Sequence, residues 1–199
     1  MRTALFAGGL MLAIVLALVA RSLRVHPPLP VLGQIPDFRL TDERGGPFTG
    51  NSMRGHVSVV DFIFTHCRGS CPRLTGRMGE LQSRLATDGS DARLVSISVD
   101  PDNDTPPVLA DYGVKSGADP RRWTFVTGPY TDIASAVVVG FKVSTAKIAT
   151  GAGEGEVTHG DWFVLVDRTG AIRGYYPTEE TGDFERLIDD TERLDRTGR

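Results

Sequence analysis

Cysteine and histidine are nearly absent from this chain. Two cysteines occur in 199 residues, Cys67 and Cys71, with four histidines: His26, His56, His66 and His159. Structural zinc normally takes four protein ligands, and no second cysteine pair exists to complete such a site. No cysteine follows the N-terminal apolar segment, so a lipid-modified cysteine is excluded there. There is no basic run, the net charge is -3 and the pI is near 5.8, so no nucleic acid partner is expected. No segment repeats, which excludes solenoids and propellers. The short N-terminus has no Arg- and Ser-rich presequence, so a bacterial rather than mitochondrial source is expected.

What is present divides into three stretches. After Arg2, the uncharged run from Thr3 to Ala20 is rich in Leu, Ala, Val and Ile. As a helix it spans roughly 27 Å, close to the thickness of a bilayer's hydrocarbon core. Residues 1–24 are therefore expected to be an N-terminal transmembrane helix and membrane anchor. The competing reading, a cleaved signal peptide, would need a long h-region and a better small-residue cleavage site. Arg2 lies on one side and Arg21 and Arg24 on the other, so charge does not fix the orientation. Residues 25–35 contain Pro27, Pro28 and Pro30 and read as an extended, semi-rigid linker. Residues 36–195 form the folded domain.

Within that domain, Ile35–Leu40 and the Gly45-Gly46 turn read as a lead-in hairpin, and Asn51–Gly55 as one helical turn. Val57 to Phe64 is a β-prone run expected to be a buried strand. It leads through Cys67 and Cys71 into a helix with Leu74, Met78, Leu81 and Leu85 on one face. Pro72 suits a first helical position, placing Cys71 near the N-cap with Cys67 one turn earlier. Free N–H groups and the helix dipole there favour thiolates, so the expectation is one exposed turn with two sulfurs inclined to ionise. Downstream come a strand over Ala92–Val99, a capped helix beginning at Asp104-Thr105-Pro106-Pro107, and a strand over Trp123–Val126. A helix over Ile133–Val139, a Gly- and Ala-rich loop over Ala146–Gly155, a hairpin around Asp167–Gly170 and a helix over Phe184–Leu194 complete the chain. Strands alternating with helices, and a cysteine pair at a strand-to-helix junction, point to an α/β thioredoxin-like fold, a central mixed sheet flanked by helices.

Two such sulfurs can bind a soft metal, exchange disulfides or form a structural bridge. Cu(I) favours thiolate and accepts few ligands. His159 follows the Gly-rich loop and stands just before the Trp162 strand, where a loop can deliver an imidazole to the sulfurs. Spacing alone leaves these uses open.

The residues resemble a known family at this point. Phe64-Thr65-His66-Cys67-x3-Cys71-Pro72 is similar to the SCO/SenC signature FT-x-C-x3-CP. Ser98-Val99-Asp100-Pro101-x2-Asp104-Thr105-Pro106, with Trp123-Thr124-Phe125-Val126-Thr127-Gly128, is similar to its SVDP-x2-DTP…W-x-FLTG run. His159, with Asp167 and Gly170 after it, resembles the DHS…YLxDxxG segment. The resemblance covers about residues 36–187. It implies a membrane-anchored copper chaperone that binds one copper ion, Cu(I) or Cu(II), through Cys67, Cys71 and His159. It further implies help in assembling the binuclear copper site of cytochrome c oxidase. The implied partners are the copper-receiving subunit II of the oxidase and a copper donor or thiol reductant. The implied location is the cell inner membrane, with the soluble domain on the periplasmic side. The chain departs from the pattern at Thr158 and Gly160, which flank His159 where the family usually has Asp and Ser or Thr, and at Arg68-Gly69-Ser70.

Asp61 lies in the apolar strand six residues before Cys67, an offset at which thioredoxins also carry an Asp. It is a candidate proton acceptor for dithiol–disulfide exchange at Cys67 and Cys71. The plainer alternative is a side chain that faces solvent or caps a neighbour. The competing function is an extracytoplasmic thiol–disulfide oxidoreductase, which needs the same cysteines but not His159. A peroxiredoxin-type peroxidase expects Thr or Ser three residues before its reactive cysteine, and those positions hold Phe64 and Arg68.

Overall fold

The computed structural model describes residues 27–67, 69, 71–143, 162–178 and 181–197. The anchor segment 1–24, the Ala146–Gly155 loop, Arg68 and His159 lie outside them. Among the described residues no helix is long and apolar enough to cross a membrane.

The elements run β1 (Gly33–Gln34), β2 (Arg39–Asp42), β3 (Pro47–Thr49), α1 (Gly50–Met53), β4 (Ser58–Ile63), α2 (Cys71–Thr87), β5 (Arg93–Ser98), α3 (Pro106–Lys115), β6 (Trp123–Thr127), α4 (Tyr130–Ala134), β7 (Trp162–Val166), β8 (Ala171–Pro177) and α5 (Thr181–Thr197). Together the strands make one sheet in the order β1-β8-β7-β4-β5-β6-β2-β3. Strands β4, β5 and β6 are parallel, and the rest pair antiparallel. This is the mixed, helix-flanked sheet expected from the alternation of strands and helices.

The apolar run of β4 is explained by its central place, since a strand covered on both faces has no wet side. Its odd-numbered side chains Val59 and Ile63 pack with Leu74, Met78, Leu81 and Leu85 of α2, Leu109 of α3 and Phe184, Leu187 and Ile188 of α5. On the other face, Val60 packs with Met53, Ile97, Val126, Ile133, Ala136 and Val137. Here the expected helix over Ile133–Val139 changes character. α4 widens into a π-helical stretch over Ser135–Gly140, and Phe141 N–H reaches Ala136 O at 2.8 Å. Gly140 is required where that stretch ends, because a Cβ there would stand 2.1 Å from Pro36 Cγ.

The linker departs from expectation. Leu32 N–H bonds Ile172 O at 2.8 Å, Arg173 Nε bonds Pro30 O at 3.0 Å, and Gly33–Gln34 pairs with β8. From Leu29 onward the Pro-rich stretch is therefore docked along the sheet edge rather than standing free as a spacer. Pro residues tolerate an edge because they need not donate to a ladder.

Candidate functional site

Parallel strands β4 and β5 end together, with Ile63 opposite Ser98. Sites in open α/β sheets gather beyond such carboxyl ends. Beyond β4 the chain makes a turn in which Cys67 N–H bonds Phe64 O at 3.2 Å. Cys71 then opens α2. No disulfide joins the two cysteines, and their side chains are within hydrogen-bonding contact of each other.

The two sulfurs are not equivalent. Cys67 is half-buried, whereas Cys71 is 5% exposed. Burial pushes the Cys71 thiol well above its ordinary value, and the hydrogen bond with Cys67 pushes the same way. The backbone N–H of Phe64 pulls it down, and the charges of Cys67 and Asp61 push it up. The expected pair of exposed sulfurs, both inclined to ionise, is thus corrected at Cys71. There desolvation outweighs the helix terminus.

A small polar group lies beside Cys71. Thr75, one turn along α2, shares a 2.7 Å hydrogen bond with Tyr112 Oη of α3. Burial raises the Tyr112 phenol, and the Cys71 and Asp61 charges add to that effect. Asp61 is fully buried on the α2 side of β4, so it does not face solvent. It is opposite Ser96 in register.

Asp104 plays a part that sequence reading missed. It does not cap α3, whose N-cap is Thr105. Its fully buried carboxylate accepts hydrogen bonds from Thr65 Oγ1 at 2.6 Å, Thr65 N at 3.1 Å and Ser98 Oγ at 2.6 Å. It thereby ties the cysteine turn to the end of β5. The only hint in the sequence is that Thr65 and Asp104 both belong to the quoted motifs. Asp100 is buried in the same loop, where its carboxylate accepts from Asn103 Nδ2 at 3.0 Å.

Of the other histidines, His66 is exposed, with Nδ1 3.1 Å from Thr65 Oγ1. His56 stands at the opposite end of β4, about 20 Å away by strand rise. Its imidazole is lowered by burial and by the charges of Arg93 and Arg168. Among the described residues no group of three or more His, Cys, Asp or Glu side chains could hold a metal ion. The described donors are therefore two soft sulfurs, which suit a soft, low-coordinate ion such as Cu(I).

Comparison with known proteins gives this site a setting. The SCO1/SenC family model matches residues 32–195. The SCO1 protein homolog of Bacillus subtilis is 31% identical over 162 residues, covering 81% of this chain and 82% of that protein. BsSco, a member of the Sco family of cytochrome c oxidase assembly proteins in which a disulfide switch has been identified, superposes with a TM-score of 0.73. It is 27% identical, over 85% of this chain and 98% of that one. Copper-bound ScoI of Bradyrhizobium japonicum superposes with a TM-score of 0.67 at 27% identity, over 81% of this chain and 99% of that one. A family match running through the whole sheet and both cysteines, joined to likeness in sequence and in fold, makes this chain a member of the SCO1/SenC family.

Proposed function

We propose that this protein is a copper carrier that takes part in cytochrome c oxidase assembly. The observation that carries the reading is the adjacent Cys67–Cys71 pair at the carboxyl end of β4, in a fold shared with a copper-bound relative. Copper is the cargo. Cys67 and Cys71 supply two thiolates, and His159 supplies the third ligand from the segment before β7. Thiolates suit Cu(I), and an imidazole also accommodates Cu(II). The half-buried Cys67 offers the reachable edge of the site, as hand-over to a recipient requires. That recipient is the copper-binding subunit II of the oxidase, and a copper donor or thiol reductant loads the site. Residues 1–24 anchor the protein in the inner membrane, 25–35 connect, and 36–195 form the working domain on the periplasmic side.

The test is titration of the reduced full chain with Cu(I) against a competing chelator, beside His159→Ala and the double variant Cys67→Ser/Cys71→Ser. The expected result is one copper per chain, lost with the cysteines and weakened without His159. Binding indifferent to both changes would remove the reading.

A second function uses the same sulfurs. As a thiol–disulfide oxidoreductase, the pair would reduce a disulfide on the oxidase subunit or another target and become the Cys67–Cys71 disulfide itself. Two features favour it: the adjacent sulfurs and the buried Asp61, whose charge acts on Cys71. Asp61 is then the proton acceptor when Cys71 ionises. Asp61→Asn is expected to shift the pH dependence of disulfide exchange. An unchanged profile would return Asp61 to a purely structural place.

A further inference from the structure

We propose that Asp104 is the positioning residue of the cysteine turn. By fixing Thr65 it sets how readily Cys67 and Cys71 form a disulfide and how tightly they hold copper. The copper half of this inference rests on the function proposed above, and the disulfide half does not.

Thr65 lies two residues beyond the last residue of β4 and two before Cys67. Its N–H has no strand partner, and its partner is the Asp104 carboxylate. Among the described residues, three sets of bonds hold the turn from Phe64 to Cys67. Cys67 N–H reaches Phe64 O, Phe64 N–H reaches the Cys71 sulfur, and Thr65 donates both N–H and Oγ–H to Asp104. The first two lie within the cysteine loop. The Asp104 bonds tie the turn to another part of the fold, because the same carboxylate is pinned to β5 by Ser98 Oγ at 2.6 Å. Ser98 Oγ in turn accepts Asp100 N–H at 3.1 Å. Two hydroxyls and an amide converging on one buried carboxylate make a charge-assisted clamp, and such hydrogen bonds are roughly twice as strong as neutral ones. With its hydroxyl hydrogen committed to Asp104, Thr65 Oγ1 is left as the acceptor for His66 Nδ1, so the clamp also orients the residue beside Cys67. Groups that orient metal-binding side chains typically change affinity about 10–100-fold when removed.

The experiment compares Asp104→Asn, Thr65→Val, Thr65→Ser and Ser98→Ala in the full chain. One readout is equilibration with glutathione. The two protein thiols pass two electrons and two protons to glutathione disulfide, giving the Cys67–Cys71 disulfide and two glutathione molecules. The second is Cu(I) competition with a chromophoric chelator, and the third is urea unfolding. Asp104→Asn and Thr65→Val are expected to lower the disulfide-forming constant about tenfold, a rise of about 30 mV in potential. They are also expected to weaken Cu(I) binding about 10–100-fold. Thr65→Ser keeps the hydroxyl and should stay within about threefold of wild type on both constants. Ser98→Ala loses the carboxylate's tie to β5 but keeps both Thr65 bonds, so it should lower the urea midpoint and move both constants in the same direction by clearly less than Thr65→Val. The proposal is overturned if Thr65→Val leaves both constants near wild type, or if Ser98→Ala moves them as far. Should Asp104→Asn fail to fold, the two Thr65 variants decide alone. A wild type that binds no Cu(I) defeats the copper reading and leaves the disulfide constant to judge the clamp.

Discussion

Raising the pH will tighten copper binding steeply, and the slope follows from the state of Cys71. The residue is 5% exposed, and burial is the largest of the causes that push its thiol above the ordinary value. Cys71 therefore carries its proton across the neutral range, while copper takes the thiolate. Each copper bound must expel that proton. One expelled proton changes the apparent affinity about tenfold per pH unit, or about 1.4 kcal/mol. Between about pH 6.5 and about pH 8.5, Cys71 alone should lower the apparent Kd about 100-fold, and any proton released by Cys67 multiplies this. The assay is Cu(I) competition at fixed ionic strength with a chelator whose own pH dependence is known, beside a direct proton count in weakly buffered solution. Repeating it with Cys67→Ser isolates the contribution of Cys71. A slope clearly shallower than tenfold per unit would mean that Cys71 is already a thiolate and that burial does not govern it.

The same shift acts on folding at the alkaline end. Above about pH 9 the unfolded chain ionises its cysteines while folded Cys71 holds its proton, so the folded state binds more protons and stability falls as pH rises. Tyr176 adds to this loss above about pH 10, because burial and its hydrogen bond to Asp190 push its phenol up. Urea midpoints should drop through this range, and a flat profile would contradict both assignments. Asp195→Ala removes a nearly buried carboxylate that accepts from Arg168 Nη2 at 2.6 Å and from Asp91 N at 3.0 Å. Arg168 keeps some solvent contact, so the expected cost is about 2–4 kcal/mol by urea unfolding, a little below that of a fully buried pair. Leu81→Ala empties a fully buried position between α2 and the sheet and should cost about 2–5 kcal/mol, with copper stoichiometry unchanged.

Where the sequence could be read, a local pattern carried the information. The run from Ser58 to Ile63 is apolar apart from Ser58 and Asp61 and behaves as a central strand must. The alternating four- and three-residue spacing of Leu74, Met78, Leu81 and Leu85 places all four in one core. Reading failed where a distant partner decides the outcome. The stretch from Leu29 to Gln34 has the composition of a spacer, but β8 offers it an unpaired edge. Asp104 stands just before the helix cap Thr105, and its hydrogen-bonding partner Thr65 is 39 positions away. The widening at Ser135–Gly140 leaves no mark in an apolar run whose period fits an ordinary helix.

Cys71 shows how two correct local arguments can give the wrong sign. A helix N-terminus favours a thiolate by roughly 0.3–1 kcal/mol, which is less than one pK unit. Full burial can raise a thiol by several units. The sequence displays the first effect, in Pro72 and the helical repeat, but not the second. Burial at Cys71 arises because α2 is drawn against β4 by side chains one to four turns further along. The force that packs the helix therefore also separates the two sulfurs in character, one protonated and enclosed, the other near the surface. A carrier gains from that asymmetry. On the proposed function, an incoming ion or disulfide would meet Cys67 first, and Cys71 would engage only as its proton leaves. Reducing the asymmetry, by loosening the packing around Cys71 through Leu74→Ala, should flatten the pH slope of copper binding even where the stoichiometry is kept.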